Sequence, residues 1–240
     1  MRALTLTDPA FVAAFDPRRA VPWHSVFWAG DPSWTNPGDG NPVSSWRDGS
    51  GNGRDLGNTG TVRPTFRAST AAFNGRPTIQ GDGVDDLLYA TFASVPQPYS
   101  IVVVGSMTGG TYPAVAGGGS STGGSDLVLL YRSTSGHFKI YAGTADVGPS
   151  SGDADPHAFR ALFNGASSAL AVGSGITTGN PGNRAIARLN ACGTAYTNAN
   201  TKSAGHVAFL GLRAGDITAD PGWPALQSWI ATHYAIAAPA

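Results

Sequence analysis

Two glycine-rich stretches decide the fold, and the first, residues 46–56, reads WRDGSGNGRDL. The second, residues 73–88, reads FNGRPTIQGDGVDDLL. Each stretch packs Gly, Asn and Asp into a short run and then passes to apolar residues. Gly and Asn accept positive φ angles, and so they form the sharp turns that join antiparallel strands. Both stretches therefore predict tight turns between the strands of an antiparallel β protein.

The composition favours strands and loops over helices. Among the 240 residues are 33 Gly and 17 Pro, with 12% charged and 41% apolar residues. This profile is rich in turns but too apolar for a disordered chain. All 15 acidic residues are Asp, which suits turns, whereas Glu suits helix interiors. Because the chain contains no Glu, every catalytic scheme that needs a glutamate is excluded.

Single strands are predicted in the second half of the chain. Residues 101–104 read IVVV, a β-branched run typical of a central strand that is covered on both faces. Residues 185–189 predict a weaker strand, and residues 206–213 (HVAFLGLR) predict a stronger one.

Two hairpins are predicted as well. Residues 126–132 (DLVLLYR) and 137–142 (HFKIYA) flank a Ser/Gly turn. Residues 157–163 (HAFRALF) and 168–172 (SALAV) are joined through Asn164-Gly165, the strongest short hairpin signal in the chain.

One C-terminal helix is predicted over residues 220–237. Asp220 can cap it, and Pro221 suits the first helical position. Apolar residues then recur at every fourth position, namely Leu226, Ile230 and Tyr234. Residues 1–45 are expected to form an irregular N-terminal segment. Neither a repeat nor a break in composition divides the chain, so residues 1–240 are predicted to be a single domain.

The turn stretches resemble a known domain family. The order W-x-D-x-S-G-N-G (46–53), N-G-R-P (74–77) and G-x-D-D-x-L (83–88) resembles the first half of LamG-like, or concanavalin A-like, jelly-roll domains. Residues 157–173 are similar to a later hairpin of these domains, and the resemblance covers roughly residues 40–236. It implies an all-β fold, an antiparallel jelly-roll β-sandwich with a C-terminal α-helix.

The resemblance also implies a function. The excess of Arg over Lys and the Ala and Gly content suggest a GC-rich genome. In that setting the chain resembles minor tail and other virion proteins of tailed phages that infect actinobacteria. This implies a structural phage protein, tail or decoration type, that also contacts host-surface glycan. The alternative is a carbohydrate-binding module or a polysaccharide-degrading enzyme of a bacterial cell.

Partners and location follow from this interpretation. We expect contacts with other virion proteins and a homo-oligomer, because a net charge of zero gives little repulsion between copies. The same neutrality offers no basic field for nucleic acid, and no apolar run is long enough for membrane insertion. Residues 1–9 lack the apolar core of a signal peptide, and Cys192 is the only cysteine. We therefore expect folding in the host cytoplasm and a final location on the phage tail or capsid surface.

A glycan site is predicted in the Trp-rich N-terminal segment. Trp28 and Trp34 lie in a Pro/Gly-rich loop with Asp31 and Asn36. Indole rings stack on sugar rings, while carboxylate and amide groups bind hydroxyls. The alternative is that the tryptophans cap one end of the sandwich by ordinary aromatic burial.

A metal site is predicted at the second turn. Asp82, Asp85 and Asp86 supply three carboxylates beside a Gly-rich turn, and calcium is the ion that such hard oxygen ligands favour. The alternative is that they only cap the turn. No other cofactor is predicted.

No catalytic set is recognised in the sequence, so no enzyme is predicted. Residues 119–123 match the G-x-S-x-G nucleophile pattern but lack the preceding strand and following helix that the pattern needs. The one tight Asp/His group, residues 153–157, is explained equally well by a turn before a strand.

Overall fold

The fold is described from a computed structural model, in which residues 15–119, 127–193 and 201–240 are described. The strands of these residues are β1 (Ser25–Trp28), β2 (Ser45–Trp46), β3 (Leu56–Gly57), β4 (Thr65–Thr70), β5 (Arg76–Gln80), β6 (Leu88–Val95), β7 (Tyr99–Gly105), β8 (Ala114–Gly118), β9 (Val128–Arg132), β10 (Phe138–Tyr141), β11 (His157–Phe163), β12 (Ser168–Val172), β13 (Gly175–Gly179), β14 (Ile186–Ala191) and β15 (His206–Ala214). The α-helix is α1 (Trp223–Tyr234), and short 3-10 turns span Ala71–Phe73, Gly165–Ser167 and Ile217–Ala219.

These strands form two antiparallel sheets. Sheet A has the order β13-β12-β11-β7-β15-β5-β4, and β1 also pairs with β15. Sheet B has the order β10-β9-β8-β14-β6-β3-β2. Some strands that follow each other in sequence, such as β7 and β8, lie in different sheets, as in a sandwich with connections that cross between its layers. The predicted all-β antiparallel sandwich with a C-terminal helix is confirmed.

One apolar cluster lies between the sheets and takes side chains from both. Successive residues of a strand point to opposite faces of its sheet. In β7, Tyr99, Ile101 and Val103 therefore belong to the inner cluster, whereas Val102 and Val104 belong to a second cluster on the outer face of sheet A. Every residue of β7 is buried. The prediction of a central strand covered on both faces is confirmed.

Both predicted hairpins are present. β9 pairs with β10, and Tyr141 lies opposite Leu129. β11 pairs with β12, and Phe159 lies opposite Val172. The second connection is longer than the two-residue turn that Asn-Gly usually indicates, because a 3-10 turn over Gly165–Ser167 precedes β12.

The C-terminal helix begins later than predicted. Asp220 caps the turn before the helix, since its carboxylate accepts the Gly222 amide at 2.9 Å and its carbonyl accepts the Trp223 amide at 3.0 Å. Gly222 is the N-cap residue of α1, and Pro224 lies in the first helical turn. Pro221 therefore precedes the helix, and the 3-10 turn just upstream explains the shift.

Helix α1 covers the outer face of sheet A. Burial of one large apolar side chain contributes roughly 1.5–3 kcal/mol, so this layer is a major part of the fold. The cluster that joins the helix to the sheet contains Val21, Trp23, Val26, Phe73, Val102, Val104, Ala158, Ala208, Phe209, Ile217, Trp223, Leu226, Trp229, Ile230 and Tyr234.

The N-terminal segment is more regular than predicted. Within residues 1–45, β1 pairs with β15 and places Trp28 opposite Phe209.

Two predictions fall on residues outside the described ranges. They are the signal-peptide interpretation of residues 1–9 and residues 120–123 of the G-x-S-x-G match. In the part of the chain that is described, no helix is both long and apolar enough to cross a membrane.

Candidate functional site

The outer face of sheet B is the candidate site, because α1 covers only the outer face of sheet A. The apolar cluster on sheet B is small and contains no helix residue; its members are Ala114, Leu129 and Tyr131, with Leu127 and Tyr141 packed against them. We call this outer face the tyrosine face. Its polar and aromatic residues are Tyr89, Tyr112, Tyr131, Lys139, Tyr141, Asp146, Arg184, Arg188 and Asn190.

Strand register aligns part of the tyrosine face in one row. Tyr141 lies opposite Leu129, Leu129 opposite Gly117, Gly117 opposite Asn190, and Asn190 opposite Tyr89. Neighbouring strands are about 4.8 Å apart, so the two end residues stand roughly 19 Å apart across the sheet. The ends of the row are more exposed than its middle: Tyr89 is 37% exposed and Tyr141 is half-buried, whereas Leu129, Gly117 and Asn190 are buried. The two accessible ends are therefore spaced for an extended ligand rather than a single small ring.

Arg188 is fixed in place at one end of the row. Its guanidinium carbon lies 3.9 Å from the centroid of the Tyr89 ring, a distance at which cation–π attraction is significant. Its Nε donates to Oδ1 of Asn190 at 3.0 Å. Burial lowers the pKa of Arg188, yet a guanidinium remains charged in proteins. Its two terminal nitrogens donate to no acceptor among the described residues.

Three tyrosines gather at the other end. The Tyr131 ring lies edge-on to the Tyr112 ring, with centroids 6.0 Å apart. Burial, reinforced by the Asp146 carboxylate, raises the pKa of Tyr131. The Tyr131 hydroxyl therefore stays protonated and can act as a hydrogen-bond donor. Asp146 and Tyr112 are exposed, so a carboxylate and an aromatic ring border this end of the face.

A second guanidinium lies beside these tyrosines. The guanidinium carbon of Arg184 is 5.9 Å from the centroid of the Tyr141 ring. Its side chain passes over Gly143, where a Cβ atom would collide with Arg184 Nε. Gly143 thus provides the space that Arg184 occupies. The buried Nη1 of Arg184 has no hydrogen-bond partner within the described residues.

The chemistry of the tyrosine face suits a polyhydroxylated ligand. Aromatic rings present flat apolar surfaces that pack against the C–H faces of sugar rings. Guanidinium, amide and carboxylate groups supply both donors and acceptors for hydroxyls. A face of this kind binds and orients a ligand, which is the first step for a lectin and for a glycoside-processing enzyme alike.

A separate groove of about 580 Å³ lies beside the turn between β12 and β13. In it His157 Nε2 and Asp153 Oδ1 are 2.7 Å apart, and Asp153 also accepts the Asp155 amide at 2.9 Å. Burial acts to raise the pKa of Asp153, but the hydrogen bonds from His157 and Asp155 outweigh it and lower that pKa. Ile176, 53% exposed, forms an apolar wall. The groove is therefore a separate concavity with one carboxylate–imidazole pair.

The two tryptophans predicted to bind glycan are used in packing. Trp34 is only 8% exposed; its ring lies edge-on to Phe66 at 5.6 Å, and its Nε1 donates to the Ser45 carbonyl at 3.0 Å. Trp28 packs edge-on against Trp229 of α1, with centroids 5.5 Å apart. One indole thus belongs to the core between the sheets and the other to the helix layer.

The two polar residues of that prediction also have structural roles. Asp31 is 4% exposed and is paired with Arg18 at 2.6 Å. Asn36 is exposed, and its side-chain oxygen accepts the Gly38 amide at 3.0 Å. The structure therefore does not bring Trp28, Trp34, Asp31 and Asn36 onto one exposed platform, because burial of large aromatic rings is more favourable than their exposure.

The predicted metal site forms a compact acidic turn. The carboxylates of Asp82, Asp85 and Asp86 lie within 4.8 Å of one another. Oδ1 of Asp82 accepts the amides of Val84, Asp85 and Asp86, at 2.8, 3.2 and 3.2 Å, and Oδ2 of Asp86 accepts the Asp82 amide at 2.9 Å. The turn thus uses some of the oxygens that a metal would need.

The ammonium group of Lys202 lies near this acidic turn. Burial lowers the pKa of Lys202, and the three aspartates act in the opposite direction. Burial and the neighbouring Asp82 raise the pKa of Asp86 to about 6, while Lys202 acts to lower it. The oxygen donors suit calcium, but an ammonium group already balances part of their charge. Calcium binding stays a prediction.

The residues of the tyrosine face were missed at the sequence level. A local signal exists, since Leu88-Tyr89-Ala90-Thr91 alternates between apolar and outward-facing residues. The pairing of β6 with β14, which places Asn190 opposite Tyr89, joins segments far apart in the chain. Alternation shows which side chains point outward, but it cannot show which strands are neighbours.

Comparisons with known proteins show which solved structures share the fold. Neither the protein families nor the curated proteins compared with the sequence give a match. Among solved structures, Trypanosoma rangeli sialidase in complex with sialic acid is similar, with a TM-score of 0.59 and 13% identity over 86% of this chain. A GH54 α-L-arabinofuranosidase soaked with a cyclic sulfate inhibitor has a TM-score of 0.56 and 12% identity over 89% of this chain. The chain spans 32% of the length of that sialidase and 59% of that arabinofuranosidase.

These similarities correct one prediction and leave others open. The prediction that the chain is not an enzyme is wrong as an inference from the fold, because the sialidase and the arabinofuranosidase that share the fold are enzymes. The prediction rested on the lack of recognised catalytic motifs, and a search for local motifs does not cover groups that are brought together from separate strands. The LamG resemblance and the virion role stay predictions. What the comparisons show is the all-β sandwich fold itself.

Proposed function

We propose that the tyrosine face binds an extended carbohydrate, and that the chain is a carbohydrate-binding or carbohydrate-processing domain of a protein that acts on polysaccharides. One observation carries the proposal: aromatic rings and hydrogen-bonding groups are gathered on the sheet face that the helix does not cover. Carbohydrate binding therefore replaces the virion role as the function that the geometry supports best.

The similar structures support the same class of ligand. Their titles name a sialidase with bound sialic acid and an arabinofuranosidase soaked with 4-nitrophenyl α-L-arabinofuranoside. The identities of 13% and 10% are too low to transfer residues. The support lies in the shared fold and in the saccharide nature of both named ligands.

The geometry also sets the size of the ligand. Tyr141 and Tyr89 mark the two accessible ends of a row about 19 Å long, and the residues between them, including Asn190 and Gly117, are buried. An oligosaccharide can contact both ends at once, whereas a monosaccharide contacts only one. We expect affinity to rise with chain length until the ligand covers the row.

Isothermal titration with oligosaccharides of increasing length tests the proposal. The ligands should include neutral and acidic series, and release of reducing ends should be measured in parallel to detect cleavage. The variants Tyr89→Ala and Tyr141→Ala each remove one stacking ring from opposite ends. We expect each to weaken binding about fivefold or more, because the loss of one well-packed aromatic contact corresponds to at least about 1 kcal/mol.

Two control variants locate the site. Asn36→Ala alters the glycan site predicted from the sequence, and Ile176→Ala alters the separate groove near β13. Both residues are exposed, so neither change should affect folding or binding to the tyrosine face. If a control weakens binding while both tyrosine variants bind normally, the tyrosine face is not the site. If no saccharide binds at millimolar concentration, the proposed function is wrong.

A further inference from the structure

We propose that the saccharide recognised by the tyrosine face is anionic, with carboxylate groups bound by the guanidinium groups of Arg188 and Arg184. This inference rests on the proposed carbohydrate function and names its ligand class, a carboxylated polysaccharide. The inference rests on the two guanidinium groups. The protein orients each of them, and no described carboxylate forms an ion pair with either.

Arg188 has the arrangement expected of an anion-binding residue. The Tyr89 ring supports its guanidinium plane, and Asn190 accepts its Nε proton, so the orientation of the group is set before a ligand arrives. The terminal nitrogens have no acceptor among the described residues. A planar guanidinium binds a carboxylate through two parallel hydrogen bonds. Because Arg188 is already ordered, little side-chain entropy is lost on binding.

Arg184 repeats the pattern at the tyrosine end. Tyr141 lies against its guanidinium, Gly143 leaves room for its side chain, and the buried Nη1 has no partner in the described part of the chain. A buried donor without an acceptor is unfavourable. Nη1 itself is shielded from solvent, so a ligand carboxylate reaches this guanidinium through the exposed part of the half-buried side chain.

The charges near the tyrosine face favour an anion. Lys139 lies on the same face, and its ammonium donates to the Gly148 carbonyl at 3.0 Å. The carboxylate of Asp146, at the border of the face, acts to raise the pKa of Tyr131. Among the described residues of the face, three cationic side chains thus accompany one carboxylate.

The acidic turn does not cancel these charges. The carboxylates of Asp82, Asp85 and Asp86 act on the neighbouring Lys202. No described carboxylate is among the groups that shift the pKa of Arg188. The guanidinium of Arg188 therefore keeps its charge available to a ligand.

A matched pair of polymers tests the proposal. Polygalacturonate carries one carboxylate per sugar, and its fully methyl-esterified form has the same backbone without the charge. Binding of the full chain to both is measured by affinity electrophoresis and isothermal titration at two salt concentrations. We expect at least about tenfold tighter binding to the carboxylate form and weaker binding at high salt.

Variants separate directed recognition from general attraction. Arg188→Gln and Arg184→Gln should each reduce the preference for the carboxylate form about tenfold, while thermal denaturation shows that each variant is folded. Arg188→Lys keeps the charge but loses the two-pronged geometry, and we expect it to restore only part of the preference. Arg19→Gln removes the same charge from a side chain that is 88% exposed and lies in the N-terminal segment. It should change nothing.

Each outcome decides between the two proposals. If the protein binds neither polymer and no neutral oligosaccharide, both the proposed function and this inference are wrong. Equal binding to both polymers, unaffected by the arginine variants, leaves carbohydrate binding intact and overturns the anionic ligand. Binding to dextran sulfate as tight as to polygalacturonate, with no loss in either arginine variant, reveals non-specific attraction of polyanions and also overturns it.

Discussion

The outer faces of the two sheets obey the same strand alternation but are used in different ways. On sheet A, the outward residues Val102 and Val104 are apolar and lie beneath α1. On sheet B, the outward residues Tyr89 and Arg188 pair with each other, and no helix of the described residues packs on them. The first face contributes to stability through the hydrophobic effect. We propose that the second serves recognition instead, as expected where function and stability compete for the same surface.

The largest expected difference between the faces is in stability. Trp229 is a fully buried residue of α1, with ring contacts to Trp28 at 5.5 Å and Phe209 at 5.9 Å. We expect Trp229→Ala to lower the free energy of unfolding by about 3–5 kcal/mol. Tyr141→Ala, on the tyrosine face, should cost only about 1 kcal/mol because Tyr141 is half-exposed. Denaturant unfolding measures both; equal costs would abolish the distinction between the two faces.

A pH effect of about 2 kcal/mol is expected from the helix layer. Burial, with a smaller contribution from Arg76, lowers the pKa of His233 from 6.5 to about 4. The unfolded chain therefore takes up a proton near pH 6.5, whereas the folded chain does so only near pH 4. Stability contributed by neutral His233 is complete above pH 6.5 and is lost as the pH falls toward 4, by about 2 kcal/mol after allowance for solvent screening.

The acidic turn beside sheet B should act in the opposite direction. The pKa of Asp86 is raised to about 6, above the value near 3.9 of an unfolded chain. The folded state thus binds a proton first, and this contribution increases stability as the pH falls from about 6 to 4. Unfolding measured across this range should show a weaker acid destabilisation in His233→Gln and a stronger one in Asp86→Asn. Parallel pH profiles for wild type and both variants would contradict these assignments.

A smaller effect is expected from the pair Tyr89 and Arg188. A double-mutant cycle with Tyr89→Ala and Arg188→Gln should give a coupling of about 0.5–1 kcal/mol, since Tyr89 is 37% exposed and exposed cation–π pairs are weak. The readout is the free energy of unfolding of the four proteins. A coupling above about 2 kcal/mol would mean that the tyrosine face is a stabilising surface rather than a recognition surface.

The smallest effect is expected from calcium at the acidic turn. Lys202 already balances part of the charge of the aspartates, so we expect millimolar calcium to raise the melting temperature by less than about 1 °C. Magnesium and the variant Asp85→Asn serve as controls. A rise of several degrees with calcium alone, abolished in Asp85→Asn, would establish a calcium site, because about 1 kcal/mol of binding shifts a domain of this size by roughly 2–4 °C.

The sequence by itself determined the fold class and several of its elements. The IVVV run, both hairpins and the fourfold spacing of Leu226, Ile230 and Tyr234 are local patterns, and local patterns fix strands, turns and helix faces. All of these appear in the structure, with α1 beginning a few residues later because Asp220 closes the preceding turn.

Only the tertiary structure decided where the candidate site lies. The sequence favoured Trp28 and Trp34 because tryptophan commonly stacks on sugars, but the helix layer and the core between the sheets bury these rings. The tyrosine face joins Tyr89, Asn190 and Tyr141 from three strands of sheet B. The alternation of side chains along a strand shows which residues point outward, but it does not show which residues of other strands lie beside them. The pairing of distant strands and the docking of α1 on sheet A determine which outward residues are buried in the core and which form the proposed recognition surface.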